Sequence, residues 1–463
     1  MELDSKSRKN LSKIACISTF GGLLFGYNTG VMNGALSFMS RPEELNLTPL
    51  SEGLVTSLLT LGAAFGALFG GRLSDTFGRR KMIWFMSIIF FLGSGACALA
   101  PNTTMMIIAR FCLGLAVGAA SVIVPTYLAE ISTTETRGKI VTQNELMIVA
   151  GQLVAFLINA ILGTLFGEIP GVWRVMLVVS ILPAFVLFFG MRKVPESPRW
   201  LFLHSTKEKT LSALKVIRSE EGSRDELERI SISLKREKEN VEKTKLSLAD
   251  FKIPWMRKLL FLGIGLGVMQ QIIGINIMIY YGTVILIESG MGESVSLIAN
   301  VSNGVVSVLA IIVGMNVMHK VDRRKMIITG IIGTTFSMTA LTACLFIIPD
   351  STMLPIFVIV LTVIFIAFFQ GCIGPVTWLL LSEIFPQKIR GLGMGISTFF
   401  LWIANFLVAL MFPILLASIG ISYTFLLFTV FNFGSLLFAI KKVPETRGKT
   451  LEEIELDFKF GVE

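Results

Sequence analysis

Charged side chains are scarce in this chain, since Asp, Glu, Lys and Arg make up only 16% of its 463 residues. The hydrophobic content is 53% and the mean hydropathy is +0.74, which excludes an ordinary soluble domain. A membrane-spanning helix needs about 20 apolar residues, and the sequence contains about twelve such runs. Most of the chain is therefore expected to lie within a bilayer.

Histidine and cysteine are also rare. The two histidines, His204 and His319, fall in polar segments, so the spans offer neither a histidine metal site nor a histidine proton relay. The five cysteines are odd in number, lie in apolar runs and lack metal-ligand spacing. No disulfide, metal or cofactor is expected. Because the spans also show no nucleophile or paired catalytic acids, an enzyme is not expected either.

The net charge of +9 is concentrated in alternate loops. The N-terminus, the segment near residues 79–81 and the stretch 192–258 are basic, whereas the intervening loops are not. This asymmetry indicates a multi-pass protein of the cytoplasmic membrane with both termini in the cytoplasm, rather than a nucleic-acid partner. No cleavage pattern follows the first apolar run, so that run is interpreted as the first helix. No obligate protein partner is indicated.

One long polar segment divides the apolar runs into two groups of six. The predicted organisation is a first six-helix bundle over residues 1–192, a cytoplasmic linker with short amphipathic helices over 193–256, a second bundle over 257–445 and a cytoplasmic tail over 446–463. A charged, solvated face is the favoured interpretation of the linker.

An internal repeat relates the two groups. Three pairs of features recur at an offset of about 250 residues: Arg79 with Arg323, Glu130 with Glu383, and the motif at Pro195 with the motif at Pro444. Six spans return a chain to its starting side, so the two halves are parallel repeats. The predicted fold class is an all-α membrane protein with twelve transmembrane helices in two parallel-repeated six-helix bundles.

Six motifs in order resemble the sugar porter family of the major facilitator superfamily. They are Gly71-Arg-Leu-Ser-Asp-Thr-Phe-Gly-Arg-Arg, Glu130…Arg137-Gly, Pro195-Glu-Ser-Pro-Arg-Trp-Leu, Gln270-Gln271…Asn276, Gly374-Pro375…Trp378 and Pro444-Glu-Thr-Arg-Gly. The resemblance covers essentially the whole chain. It implies the major facilitator fold and transport of a sugar or cyclitol by alternating access. Residues 141–149 and 375–386 are most similar to bacterial myo-inositol transporters, with hexoses and pentoses as the other candidate solutes.

Neutral polar residues inside apolar spans are the candidates for solute binding. A transporter must replace the water around a polyol with oriented amides and hydroxyls. Gln270, Gln271 and Asn276 lie in one apolar run and line one cavity only if the helix bends at Gly274. Their alternative role is hydrogen bonding between packed helices. The resemblance implies that they are the family's sugar-binding amides.

Further candidates lie on the predicted tenth and eleventh spans. Gln370 and Trp378 flank Gly371, Gly374 and Pro375, which weaken the helix. The resemblance implies that Trp378 is an aromatic floor for the solute ring, against the alternative of lipid or core packing. It also implies that Trp402 and Asn405 line the site, although Leu401 stands where the family often has an amide.

Glu145 is an unexpected carboxylate within a span, where it costs several kcal/mol unless paired, protonated or hydrated. The resemblance puts it at a position where many sugar porters have a substrate-contacting Gln. A carboxylate can accept hydrogen bonds from the vicinal hydroxyls of a cyclitol. The alternative is a structural pair with Arg110.

The coupling of transport to protons depends on Asn28. The resemblance implies that proton-coupled members have Asp there, facing the arginine that matches Arg110, whereas animal facilitative glucose transporters have Asn. An amide cannot titrate, so facilitated diffusion is favoured. The alternative is proton symport with Glu145 as the carrier. A sugar sensor on a transporter scaffold is a remote alternative. Such sensors usually need an extended cytoplasmic tail, whereas the tail predicted here is the short segment 446–463.

Charged residues at span ends form the last predicted group. The resemblance implies that their ion pairs form a latch that closes the cytoplasmic side in the outward-open state. Asp322 stands where the family usually has Gly, which leaves the geometry of that loop open. The predicted latch residues are Asp75, Arg79, Arg80, Glu130 and Arg137 in the first half, and Arg323, Arg324, Glu383 and Arg390 in the second.

Overall fold

The computed structural model describes residues 5–133, 136–242, 251, 253–318, 320–349, 351–386, 389–448, 453 and 458–459. Most of these residues are helical. The helices are α1 (Ser5–Gly30), α2 (Met32–Met39), α3 (Pro49–Phe77), α4 (Arg79–Ala98), α5 (Thr103–Ile131), α6 (Arg137–Phe166), α7 (Val172–Val178), α8 (Ile181–Met191), α9 (Pro198–His204), α10 (Lys207–Ile217), α11 (Glu220–Glu242), α12 (Pro254–Ile272), α13 (Ile275–Glu288), α14 (Glu293–Val317), α15 (Arg323–Ile347), α16 (Leu354–Phe368), α17 (Gly374–Glu383) and α18 (Arg390–Lys442).

Within the described residues, 11 helical segments are long and apolar enough to cross a membrane. The last of them, the 53-residue α18, contains a break at Gly420, where φ is 77° and ψ is 170°. It therefore crosses twice, as residues 390–419 and 421–442, which brings the number of spans to twelve. The predicted all-α membrane fold is confirmed.

Several spans are built from more than one helix. Span 1 joins α1 and α2 over Ser5–Met39, span 6 joins α7 and α8 over Val172–Met191, and span 7 joins α12 and α13 over Pro254–Glu288. Span 10, Leu354–Glu383, contains α16, a π-helix over Phe369–Ile373, and α17. Spans 2 to 5 are α3 to α6, spans 8 and 9 are α14 and α15, and spans 11 and 12 are the two parts of α18. Such breaks are characteristic of transporter helices that line a cavity.

An even number of spans in each half places three segments on one side of the molecule. These are the start of α1, the helices α9 to α11 after span 6, and the end of α18. We call this side the terminal face and the opposite side the far face. The helices α9 and α10 pack against the first half: Asn10 donates to the Val216 carbonyl at 3.0 Å, and the indole of Trp200 donates to the Asp75 carbonyl at 2.7 Å.

Glycines bring the backbones of the first half into direct contact. A Cβ at Gly26 on α1 would lie 1.8 Å from the Ile148 carbonyl oxygen on α6. A Cβ at Gly118 on α5 would lie 1.9 Å from the Ala63 carbonyl oxygen on α3. Small residues at helix interfaces favour association in membranes because they allow this close approach. At both positions any larger residue would push two spans apart.

Aromatic side chains join the two halves. Phe25 on span 1 packs against Trp402 on span 11 with 5.8 Å between the ring centroids. Phe65 on span 2 meets Phe399 on span 11 edge to face at 6.4 Å. The region between the halves is therefore bordered by spans 1 and 2 on one side and span 11 on the other.

Candidate functional site

The amides of span 7 form a connected row at a helix break. Gln270 and Gln271 lie in the last turn of α12, just before its final residue Ile272, and both are buried. The Gln271 amide lies 3.4 Å from Gln270 Oε1, and Asn276 Nδ2 donates to Gln271 Oε1. The three predicted amides thus lie together, as solute binding at one cavity requires.

The break between α12 and α13 occurs at Gly274, where the sequence predicts a bend. Gly274 has φ 105°, in the left-handed region that glycine adopts without a steric penalty. The interruption would leave carbonyl groups unpaired in an apolar region, where each costs several kcal/mol. Asn432 on span 12 prevents this at Ile273, because its fully buried amide donates to the Ile273 carbonyl at 2.9 Å. Span 12 therefore supports the bent conformation of span 7.

On span 11, Trp402 Nε1 and Asn405 Oδ1 are two of the buried polar atoms that have no hydrogen-bond partner among the described residues. The side chains are 4% and 3% exposed, and a spacing of three residues puts them on one face of the helix. Asn405 Nδ2 lies 3.4 Å from the hydroxyl oxygen of Tyr280, which is one turn beyond Asn276 on α13. Spans 7 and 11 are therefore linked at this point, and an indole donor and an amide acceptor remain available.

Span 10 presents the other two predicted residues of the second half. Gln370 lies in the π-helix and is 8% exposed, while Trp378 on α17 is 37% exposed. A π-helix inserts a residue into the helical repeat and occurs most often at functional sites. The role of Trp378 as an aromatic floor stays a prediction.

In the first half, Arg110 is held by main-chain oxygens. Its side chain is 1% exposed and donates to the carbonyls of Asn28 at 3.0 Å and Val55 at 3.1 Å. The side-chain amide of Asn28 bonds instead to the Leu24 carbonyl of its own helix at 2.9 Å. A guanidinium near the end of α1 interacts favourably with the helix dipole. Within the described part of the chain, Arg110 has no carboxylate partner.

Glu145 lies on α6 and is half-buried. Among the described residues it forms no ion pair, so the alternative of a structural pair with Arg110 is not seen there. A carboxylate in a membrane span without a cation needs another reason to be retained. A solute-binding role for Glu145 stays a prediction.

The charged span ends on the terminal face pair within their own half. Arg79 contacts Asp75 at 2.7 Å and Glu130 at 3.1 Å, and the Arg80 side chain donates to the Met191 carbonyl at 2.9 Å. In the second half, Arg323 and Glu383 are 3.7 Å apart. A latch between the halves stays a prediction. Two other predicted latch residues bond to main-chain carbonyls: Arg390 donates to Phe385 at 3.2 Å, and Arg324 donates to Ile440 at 2.7 Å. The side chain of Arg137 lies outside the described residues.

Two carboxylates that the sequence analysis did not single out complete these clusters. Glu196 accepts hydrogen bonds from the backbone N–H groups of Arg80 at 2.8 Å and Lys81 at 3.4 Å. Glu445 accepts from the N–H groups of Arg323 at 3.0 Å and Arg324 at 3.1 Å. Both cap the first turn of a helix, where unpaired N–H groups favour an anion. Glu196 and Glu445 occupy matching positions in the repeated Pro-Glu motifs, and this repeat is the sequence signal that could have identified them.

The loop at Asp322 differs from its counterpart at Gly78. Gly78 has φ 100°, whereas Asp322 has φ −61° and ψ 136°, an ordinary extended conformation. The Asp322 carboxylate pairs with Lys325 at 2.8 Å and Arg447 at 3.3 Å, and hydrogen bonds from these two cations lower its pKa. The second copy therefore replaces a glycine turn with a charged connection to the segment that follows α18.

Twelve spans in two halves, with broken helices and buried amides between the halves, define the class as secondary transporters. The family model described as "Sugar (and other) transporter" matches residues 14–458. The chain is 53% identical over 449 residues to "Major myo-inositol transporter IolT" of Bacillus subtilis (strain 168), which covers 97% of this chain and 94% of the relative.

Solved structures agree with this assignment. The partially occluded inward-open conformation of the xylose transporter XylE from E. coli matches with a TM-score of 0.81 and 26% identity, covering 96% of this chain and 100% of that one. The proton:xylose symporter XylE bound to 6-bromo-6-deoxy-D-glucose matches with a TM-score of 0.77 and 28% identity, over 98% and 100% of the two chains. The chain belongs to the sugar transporter family of the major facilitator superfamily; it is a membrane transporter and not an enzyme.

Proposed function

We propose that this protein carries a sugar or cyclitol across the cytoplasmic membrane by alternating access, with myo-inositol as the first candidate solute. The choice of a cyclitol is supported by the similarity to a myo-inositol transporter over almost the whole chain. It is also supported by Glu145, whose carboxylate can accept hydrogen bonds from adjacent hydroxyls. The other candidates are hexoses and pentoses.

The observation that supports a polyhydroxylated solute best is that Trp402 Nε1 and Asn405 Oδ1 on span 11 have no hydrogen-bond partner among the described residues. A buried polar atom without a partner costs about 1–3 kcal/mol. Trp402 Nε1 can only donate and Asn405 Oδ1 can only accept. A ring with several hydroxyl groups offers an acceptor and a donor at once, so its binding would satisfy both atoms. An apolar solute would leave this cost in place.

The proposed binding site combines span 5 of the first half with spans 7, 10 and 11 of the second. The amide row of span 7 would orient the hydroxyl groups, and Trp378 would cover the C–H face of the ring. The proposed solute-binding residues are Glu145, Gln270, Gln271, Asn276, Gln370, Trp378, Trp402 and Asn405.

We expect Glu145→Gln to change the order in which solutes are preferred, because an amide offers a single acceptor oxygen and a donor in place of two carboxylate oxygens. Competition by a panel of cyclitols, hexoses and pentoses against uptake of the preferred solute measures this order. Gln143→Glu, on the same helix two residues away, is the control for altered charge. An unchanged order, with loss of folded protein in Glu145→Gln, would assign Glu145 a structural role.

We expect transport by facilitated diffusion, without coupling to protons, because Arg110 bonds to main-chain carbonyls and the Asn28 amide cannot titrate. The competing proposal is proton symport with Glu145 as the carrier, which is favoured because no cation pairs with Glu145 within the part of the chain that the structure describes. Both proposals share the same orientation: the terminal face, with the linker and the tail, lies in the cytoplasm. The proposed division is residues 1–192, 193–256, 257–445 and 446–463, with the charged clusters of the terminal face acting as the latch.

Uptake into proteoliposomes tests the proposed function. Purified protein is reconstituted, and the entry of labelled myo-inositol, glucose, xylose and an uncharged non-polyol is followed with equal pH on both sides. Saturable entry of at least one polyol, absent from protein-free vesicles, is the expected result. Entry of none of the polyols would overturn the proposal.

A further inference from the structure

Spans 3 and 6 share a strip of aromatic side chains that the solute site does not include. The rings of Trp84 on α4 and Phe188 on α8 lie 5.3 Å apart, measured between their centroids. Phe188 meets Phe189 edge to face at 5.1 Å, and Phe185 lies 6.2 Å from Phe189 and 4.9 Å from Phe91. We define the aromatic strip as Trp84, Phe85, Phe91, Phe185, Phe188 and Phe189.

The aromatic strip lies on the lipid side of the two spans. Phe85, Phe185 and Phe189 are 51%, 43% and 55% exposed, whereas Phe90 and Leu187 on the opposite faces of the same helices are buried. An exposed ring on a membrane span contacts lipid, and aromatic rings are enriched where acyl chains meet the headgroups. The strip therefore offers an apolar surface to a lipid molecule.

Three cations lie where the aromatic strip reaches the terminal face. Arg192 and Lys193 directly follow α8, and Lys81 lies one turn before Trp84 on α4. The guanidinium carbon of Arg192 lies 5.5 Å from the centre of the Phe188 ring and 6.0 Å from that of Trp84, which is within the range of a cation–π interaction. All three cations are exposed, and none forms an ion pair within the described part of the chain.

The charged groups beside these cations are bound to the protein main chain. The Arg80 side chain donates to the carbonyls of Met191 and Arg192, each at 2.9 Å. The carboxylate of Glu196, which is 8% exposed, accepts from the backbone N–H groups of Arg80 and Lys81. The exposed cations therefore remain available to an anion from outside the protein.

The second half provides an internal comparison, because the repeat reproduces the cations but not the ring contacts. The matched pairs are Arg192 with Lys441, Lys193 with Lys442, Lys81 with Lys325, Trp84 with Ile328 and Phe188 with Leu437. Lys325 is also paired with Asp322 at 2.8 Å, whereas the first half has the uncharged Gly78 at the position of Asp322. Among the described residues, the first half thus has the greater unpaired positive charge and the larger aromatic surface at this place.

We propose that the ends of spans 3 and 6 on the terminal face bind an anionic phospholipid, with its phosphate between Lys81, Arg192 and Lys193 and its acyl chains against the aromatic strip. A lipid is favoured over a soluble anion because the cations lie at the ends of membrane spans, beside an apolar surface that faces the bilayer. A guanidinium can form two parallel hydrogen bonds to a phosphate. The bound lipid contacts both spans and therefore stabilises the folded first half.

Native mass spectrometry of the purified full-length protein measures this binding. The probes are phosphatidylglycerol and phosphatidylcholine with identical acyl chains, and inorganic phosphate. Phosphatidylglycerol is expected to bind more tightly than phosphatidylcholine, because cations near the membrane surface attract anionic lipids. The double variant Arg192→Gln, Lys193→Gln should weaken phosphatidylglycerol binding by about 5- to 30-fold and leave phosphatidylcholine binding unchanged. Inorganic phosphate should not displace phosphatidylglycerol.

The repeat supplies the matched control. The double variant Lys441→Gln, Lys442→Gln removes the same charge at the corresponding positions and should leave phosphatidylglycerol binding nearly unchanged. Trp84→Ile gives the first half the residue of the second, and the loss of the ring is expected to weaken binding by about 2- to 5-fold. Thermal unfolding without added lipid checks that each variant is folded.

Several results would overturn the proposal. Equal weakening by the two double variants would show a general attraction of the terminal face for anions, and no weakening by Arg192→Gln, Lys193→Gln would show that these cations hold no lipid. Equal affinity for the two lipids would indicate acyl-chain contact alone, and displacement by inorganic phosphate would indicate a site for a soluble anion. Unchanged binding in Trp84→Ile would exclude the aromatic strip from the site. Since no transported solute is present, these outcomes are independent of the uptake assay.

Discussion

Replacing Gln271 or Asn276 with alanine is expected to weaken binding of the transported solute by about 1–3 kcal/mol, or roughly 5- to 150-fold. Each residue belongs to the amide row of span 7, in which Asn276 donates to Gln271 and Gln271 approaches Gln270. Removal of one amide leaves a solute hydroxyl and a neighbouring amide without partners in a buried site. The expected loss therefore exceeds that of an exposed hydrogen bond.

Calorimetric titration of the purified variants measures this loss directly. Ser302→Ala is a suitable control, since the Ser302 hydroxyl bonds to the Ala299 carbonyl of its own helix at 2.6 Å. Unaltered affinity in both Gln271→Ala and Asn276→Ala would show that the row serves helix packing, which is the alternative that residue types alone leave open. Thermal unfolding of each variant checks that the protein is intact.

An inward proton gradient is expected to leave the final solute concentration equal on both sides of a proteoliposome membrane. A ligand shifts a two-state equilibrium only if it interacts differently with the two states, and Asn28 offers no group that binds a proton. Arg110 stays charged between the carbonyls of Asn28 and Val55. Asn28→Asp should introduce a carboxylate beside this guanidinium and make the rate of transport dependent on pH.

Accumulation against the concentration gradient by the unaltered protein would refute facilitated diffusion. If transport is instead proton symport with Glu145 as the carrier, Glu145→Gln should abolish accumulation while exchange of labelled for unlabelled solute continues. Loss of exchange as well would instead show that Glu145 is needed for solute binding. The same vesicles without a gradient provide the control.

The fold class followed from the sequence because long apolar runs in a bilayer have few alternatives to helices. The repeat of the motifs around Arg79 and Arg323 similarly indicated two parallel halves. The bend at Gly274 was predictable because this glycine lies between Gln271 and Asn276, whose side chains would point in different directions on a straight helix. These inferences depend on properties of short stretches, which a single sequence contains.

Contacts between distant spans were harder to predict. Asn300 on span 8 donates a hydrogen bond to Asn33 on span 1. Both residues satisfy the criterion that selected Gln271, namely a neutral polar residue in an apolar span, yet nothing in the residue types indicates that they meet. Spans 1 and 8 are far apart in sequence, and their contact depends on how both halves pack. The partners of Arg110 could not be predicted either, because they are the main-chain carbonyls of Asn28 and Val55, and every residue type has such a carbonyl.

The environment of Arg110 has an electrical consequence. Under facilitated diffusion its positive charge is permanent, and the oxygens that hold it belong to the backbone, so the loaded and the empty carrier have the same net charge when the solute is neutral. A full cycle then moves no net charge across the bilayer. Such a carrier would be electrically silent: the membrane voltage would neither drive solute inwards nor oppose its exit, and the direction of flow would follow the concentrations on the two sides alone.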